Sequence, residues 1–209
     1  MFVRALLFAL ILALTGAPAA AVAGPKAKVA AGAKKAKKKK RQPKARTTVA
    51  RPAAPLSCAN TELAPAAGNL DLIRDALACL HNQTRAGSGA GPLAFNDPLA
   101  AAAAGHANDM VARGYFAHVT PEGGYFDERI LATGYARGAN GWDVGENLIW
   151  ASGDLATPAA LMRSWLASPG HRANVVKPEY RELGLGVTFG TPSGGAGVTV
   201  AAEFGSRVQ

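Results

Sequence analysis

Leu183-Gly-Leu-Gly-Val-Thr-Phe189 and Val198-Thr-Val-Ala-Ala-Glu-Phe204 decide the fold. Each is a short apolar run with β-branched and aromatic residues, bounded by turn residues, and reads as a strand. Thr191-Pro-Ser-Gly-Gly-Ala-Gly197 between them is a glycine-rich connection, so the pair reads as a hairpin with a long loop. Clear strands come last and helices come first. That order indicates an α+β domain.

Upstream, Asn69–Gln83 reads as a helix. Leu70, Ile73, Leu77 and Leu80 recur at three- and four-residue spacing behind Asn69 as N-cap. Asp97-Pro98 opens a second helix, with Asp97 as cap and proline at the first helical position, running to Arg113 and stopped by Gly114. Leu99, Ala103, His106 and Met110 fall on one face of it, which makes His106 a packed helix histidine rather than a ligand. A short helix follows around Phe126–Thr133. Thr157-Pro158 opens another through Leu161, Met162, Trp165 and Leu166, broken by Ser168-Pro169-Gly170.

The chain has 209 residues, enough for one ordinary domain with extensions. Apolar residues make up 49% and charged ones 18%, which excludes wholesale disorder. Two cysteines exclude both a disulfide-dense scaffold and a four-cysteine zinc site.

The net charge of +9 suggests nucleic acid, but its distribution argues otherwise. Residues 24–57 hold twelve Lys/Arg and no acid, whereas residues 58–209 hold ten Lys/Arg against fourteen Asp/Glu. Met1–Arg4, the apolar Ala5–Leu14 and Ala21-Val22-Ala23 have the pattern of a cleaved export signal over residues 1–23. The apolar core is too short to span a bilayer, and no other segment is a membrane helix, so the mature chain is expected to be secreted, extracellular or periplasmic.

Residues 24–57, with Lys34-Lys35-Ala36-Lys37-Lys38-Lys39-Lys40-Arg41, should form a disordered basic tail. Outside the cell such a tail is either a solvated spacer or a tether to an anionic envelope polymer or lipid. Export sets nucleic acid aside as a partner. Export also predicts that Cys58 and Cys79 pair, closing a loop of about twenty residues worth roughly 3 kcal/mol.

The common catalytic patterns H-E-x-x-H, G-x-S-x-G and S-x-x-K are absent, and Gly87–Pro92 lacks a phosphate-loop pattern. What remains is a scattered polar set of His118, Glu146 and His171, each in a loop-like segment flanked by Gly or Pro. Two imidazoles and a carboxylate could hold a divalent ion or form a His–carboxylate pair. Their spacing alone carries almost no metal signal.

Five segments occur in order: His106-Ala-Asn-Asp109-Met110, Phe116-Ala-His118-Val-Thr-Pro121-Glu-Gly123, Gly134-Tyr135, Gly145-Glu146-Asn147-Leu148, and Trp165-Leu-Ala-Ser168-Pro169-Gly170-His171-Arg172-Ala-Asn174. Together they closely resemble the CAP superfamily of cysteine-rich secretory, antigen 5 and pathogenesis-related proteins, in its bacterial branch, over about Leu72 to Phe204. The resemblance implies a three-layer α-β-α sandwich around a mainly antiparallel sheet. It also implies a cleft with a tetrad of two histidines and two acids that binds zinc or another divalent cation in some members.

His118, Glu146 and His171 match three of the four. The place of the second acid, three residues after the tryptophan, is Ser168 here, so any Zn2+ or other divalent cation on His118 and His171 should bind weakly. The resemblance favours a non-enzymatic module that binds a small apolar ligand or the cell envelope through His118, Glu146, Ser168 and His171. A hydrolase is the alternative, either metal-assisted with Glu146 as base or built on Ser168, a histidine and Glu146.

Overall fold

The computed structural model describes residues 57–209, and both the expected export signal and the expected basic tail up to residue 56 lie outside that range. Helix α1 (Leu70–Ser88) runs a turn beyond the predicted end and stops at Gly89, whose φ of 78° is the left-handed conformation that glycine adopts without strain. Asn69 precedes α1 but does not cap it with its side chain, which instead accepts from Ala66 N and donates to Ala64 O.

Strand β1 (Ala94–Phe95) is a two-residue element. Helix α2 (Asp97–Arg113) is capped by Asn96 rather than Asp97. The Asn96 side chain accepts from Leu99 N, which places Asp97 in the first turn and Pro98 behind it. The remaining elements are α3 (Phe126–Ala132), β2 (Gly141–Ala151), a 3-10 turn (Gly153–Ala156), α4 (Pro158–Ala167), α5 (Pro169–Val176), β3 (Glu182–Phe189) and β4 (Val198–Val208).

The sheet order is β1-β3-β4-β2, with β4 antiparallel to both neighbours and only the short β1–β3 pair parallel. One face of β4 presents Val198, Val200, Ala202 and Phe204 to Ile73 and Leu77 of α1, Leu161 and Trp165 of α4 and Val175 of α5. The opposite face carries Ala201, which packs with Ala103, Ala107 and Met110 of α2. Helices therefore cover both faces of a mainly antiparallel sheet, as the α-β-α sandwich requires.

Two glycines let α2 lie directly on the sheet. A Cβ at Gly184 or Gly186 of β3 would run into the α2 backbone at Leu99–Ala100 and Ala103–Ala104. On the other side, buried Arg85 of α1 binds four carbonyls, donating to Gly91 O at 2.6 Å and to Val175 O, Lys177 O and Tyr180 O at 2.9 Å. These bonds tie the first helix to the segment between α5 and β3. Cys58 and Cys79 form a disulfide that fastens the lead-in to α1.

Two expected loop placements are corrected. Gly145-Glu146-Asn147-Leu148 lies inside β2, fully paired with β4, and His171 lies on α5. Proline at the start of α5 restarts the chain as a second helix after Ser168, so the Ser-Pro-Gly break is a corner rather than a loop.

Candidate functional site

Glu146 is the hub. Its side chain projects from β2 and its residue is 5% exposed. His118, in the connection between α2 and α3, meets it with Nδ1 2.7 Å from Oε1. Arg129 of α3 donates to Oε2 at 2.7 Å and also holds the His118 carbonyl at 3.1 Å. Arg129 thus fixes both partners of the pair. Burial raises the Glu146 pKa, but the His118 hydrogen bond, the neighbouring Glu203 carboxyl and the Arg129 charge outweigh it, so the carboxyl sits below its usual range.

A carboxylate at Nδ1 places the His118 proton there and turns Nε2 outward. The side chain of His118 is half exposed.

His106 of α2 faces the same cluster from below. It is buried, its Nε2 lies 2.9 Å from Ala117 O, and it comes within 3.9 Å of Glu146 Oε2. Burial lowers its pKa, partly offset by Glu146. It is the packed helix histidine that its spacing predicts. By holding Ala117 it also anchors the connection that carries His118.

His171 approaches from the other side of β2. Its backbone oxygen accepts from Asn147 Nδ2 at 2.9 Å, and Asn174 Nδ2 binds Asn147 Oδ1 at 2.9 Å and Glu146 O at 3.2 Å. Those bonds seat α5 against the strand. Burial, then the nearby His118 charge, lowers the His171 pKa, so the two imidazoles share one electrostatic neighbourhood. Ser168, Trp165 and His171 line a cavity of about 300 Å³ with Phe116, Leu148 and Trp150. Trp165 Nε1 also donates to Leu148 O, closing the α4 side of the cleft onto β2.

The site thus brings His118 and Glu146 into contact and sets His171 and Ser168 on an adjoining apolar wall. As a metal site its donor set is thin. Both Glu146 oxygens are engaged, and among the described residues no three His, Cys, Asp or Glu side chains cluster so as to hold a metal ion. Only the two imidazoles are left as ligands.

Two site residues escape the sequence reading. Arg129 falls in an unremarkable helical segment. Glu203 is wholly buried in β4, directly opposite Glu146. A lone acid inside the apolar run Val198–Phe204 is the signal that marks it.

Residues 79–202 match the family described as CAP: Cysteine-rich secretory protein family. Two proteins of Bacillus subtilis (strain 168) are similar. "Uncharacterized membrane protein YlbC" is 35% identical over 108 residues, covering 52% of this chain and 29% of that protein. "Uncharacterized protein YkwD" is 30% identical over 107 residues, covering 51% and 39%. The chain therefore matches well under half the length of either relative.

Among solved structures, an extracellular protein containing a SCP domain from Bacillus anthracis str. Ames aligns with TM-score 0.51 and 26% identity, over 64% of this chain and 42% of that one. An outer surface protein from Borrelia burgdorferi aligns with TM-score 0.52 and 20% identity, over 63% and 90%, a likeness of fold alone. The sandwich, the ordered motifs and the family match over most of the folded residues agree: this chain belongs to the CAP, or cysteine-rich secretory protein, family.

Proposed function

We propose that the chain is a secreted binding module that takes a small apolar ligand in the cleft beside His118 and His171, with the basic tail holding it at an anionic envelope surface. The observation that carries this reading is the 300 Å³ cavity, lined mainly by the apolar Phe116, Leu148, Ile149, Trp150 and Trp165 together with the polar Ser164, Ser168 and His171. A mainly apolar ligand carrying a polar group matches that lining. Secretion is supported by the export pattern of residues 1–23 and by the extracellular description of the 26%-identical structural neighbour. No helix among the described residues is long and apolar enough to cross a membrane.

Binding is favoured over hydrolysis by the hydrogen bonds. Glu146 accepts from His118 on one oxygen and from Arg129 on the other, and a carboxylate stabilised in this way is a poor base toward water. Zn2+ or another divalent cation, if taken up, would rest on His118 and His171 and polarise a bound water or ligand. Two imidazoles without a carboxylate give weak affinity.

Titrating the protein with a fluorescent fatty acid tests the reading. Saturable binding should appear in the wild type and disappear when Ser164→Phe fills the cavity. No binding in the wild type, together with ester hydrolysis that vanishes in His118→Ala, would replace the module with a hydrolase.

A further inference from the structure

β4 runs through the centre of the sheet, and every residue from Val198 to Gly205 is buried. Glu203 is the single ionisable residue in that stretch. In the ladder it stands opposite Glu146 of β2 and Gly184 of β3. The carbonyl of Glu146 points away from β4, since Asn174 donates to it from the outer side. Residues 146 and 203 therefore form a non-hydrogen-bonded pair, the kind in which facing side chains approach most closely.

Neither oxygen of Glu203 receives a hydrogen bond from an N–H or O–H group of its surroundings. The groups that could supply one are committed elsewhere or make no bond to it. Arg129 donates through Nη1 and Nη2 to His118 O, Gly124 O and Glu146, while its buried Nε has no partner and so does not serve Glu203; His106 Nε2 is held at Ala117 O. His118 Nδ1 is held at Glu146, and on the β3 side Gly184 offers no side chain. An ionised carboxylate in that position would be a buried charge with no donor, beside a second carboxylate. A protonated one has an O–H that needs an acceptor, and the acceptor facing it is Glu146.

We propose that Glu203 is the second acid of this cleft, a neutral carboxyl that donates its proton to Glu146 and so positions the His118 imidazole through Glu146. Burial, then the Glu146 charge, pushes the Glu203 carboxyl well above the usual carboxylate range, while Arg129 opposes weakly. Glu146 then accepts from three donors: the His118 Nδ1–H, the Arg129 guanidinium and the Glu203 O–H. A carboxylate so satisfied is a weak base. It orients the His118 ring without drawing off the Nδ1 proton, and leaves the Nε2 lone pair directed at the cleft. The acid missing at position 168 is thus supplied from β4, and it adds a proton rather than a negative charge.

The test needs no ligand, so it stands or falls apart from the binding reading. Infrared spectra of the full chain at about pH 8 should show a protonated-carboxyl C=O band that is absent in Glu203→Gln. In parallel, the pH midpoint of the His118 imidazole is followed by NMR, with its resonances assigned by their loss in His118→Ala. Glu203→Gln keeps a donor for Glu146 and should leave the midpoint within a few tenths of a unit. Glu203→Leu removes the donor, makes Glu146 more basic and should raise the midpoint. If the leucine variant does not fold, the glutamine variant alone decides. No protonated-carboxyl band in the wild type, or a midpoint lowered by about one unit or more in Glu203→Gln, would mean that Glu203 is ionised and would overturn the proposal.

Discussion

His118 and Glu146 are 28 residues apart in sequence and 2.7 Å apart between Nδ1 and Oε1. The contact commits one ring nitrogen to the carboxylate, so any cation in the cleft can reach only Nε2. With His171 as the second imidazole, zinc binding should be weak in the wild type and lost in His118→Ala and His171→Ala. Ser168→Glu should strengthen it by adding a carboxylate on the same wall. Affinity should fall as pH drops through the histidine range near ~6.5, because only neutral imidazole ligates. Calorimetry of the untagged proteins checks this; equal zinc affinity in wild type and both alanine variants would make the histidines structural.

The low-pH limit of the fold should depend on His81. It is fully buried between Trp165 and Phe204, its Nδ1 lies 2.7 Å from Leu77 O, and its Nε2 has no partner. Burial lowers its pKa from 6.5 to about 4. The unfolded chain then binds a proton that the folded chain refuses, so stability is full above about pH 6.5 and falls as pH drops towards about 4. At about 1.4 kcal/mol per unit the loss is roughly 3 kcal/mol. Urea denaturation of wild type and His81→Leu between those pH values should show a flatter pH dependence in the variant.

Arg85 is buried with four carbonyl acceptors. Lysine would keep the charge, but its single ammonium cannot reach oxygens arranged around a planar fork. Arg85→Lys should therefore cost about 2–3 kcal/mol, from carbonyls left unpaired in the interior. A lowered urea midpoint with an unchanged m-value is the expected result.

The basic tail should act by charge and not by folding. Deleting residues 24–57 after Cys58→Ser and Cys79→Ser, compared with the same double variant carrying the tail, should leave the melting temperature unchanged. Retention on anionic vesicles at low salt should drop, and raising the salt should abolish the difference. Retention that ignores salt would rule out an electrostatic tether.

Much of this protein is legible in local patterns. The spacing of Leu70, Ile73, Leu77 and Leu80 makes α1, Gly114 stops α2, and Val198–Phe204 is a strand, because helix and strand periods are properties of neighbouring residues. The Cys58–Cys79 bond is the pairing expected of two cysteines behind an export-like N-terminal pattern. The ordered motifs mark His118, Glu146 and His171. Tertiary structure alone decides that Gly145-Glu146-Asn147-Leu148 is a buried strand. Its polar residues would be too costly there without Arg129, His118 and Asn174, all supplied by distant segments. The same holds for Glu203, whose position opposite Glu146 comes from the β2–β4 register, and register joins residues that no spacing along the chain relates.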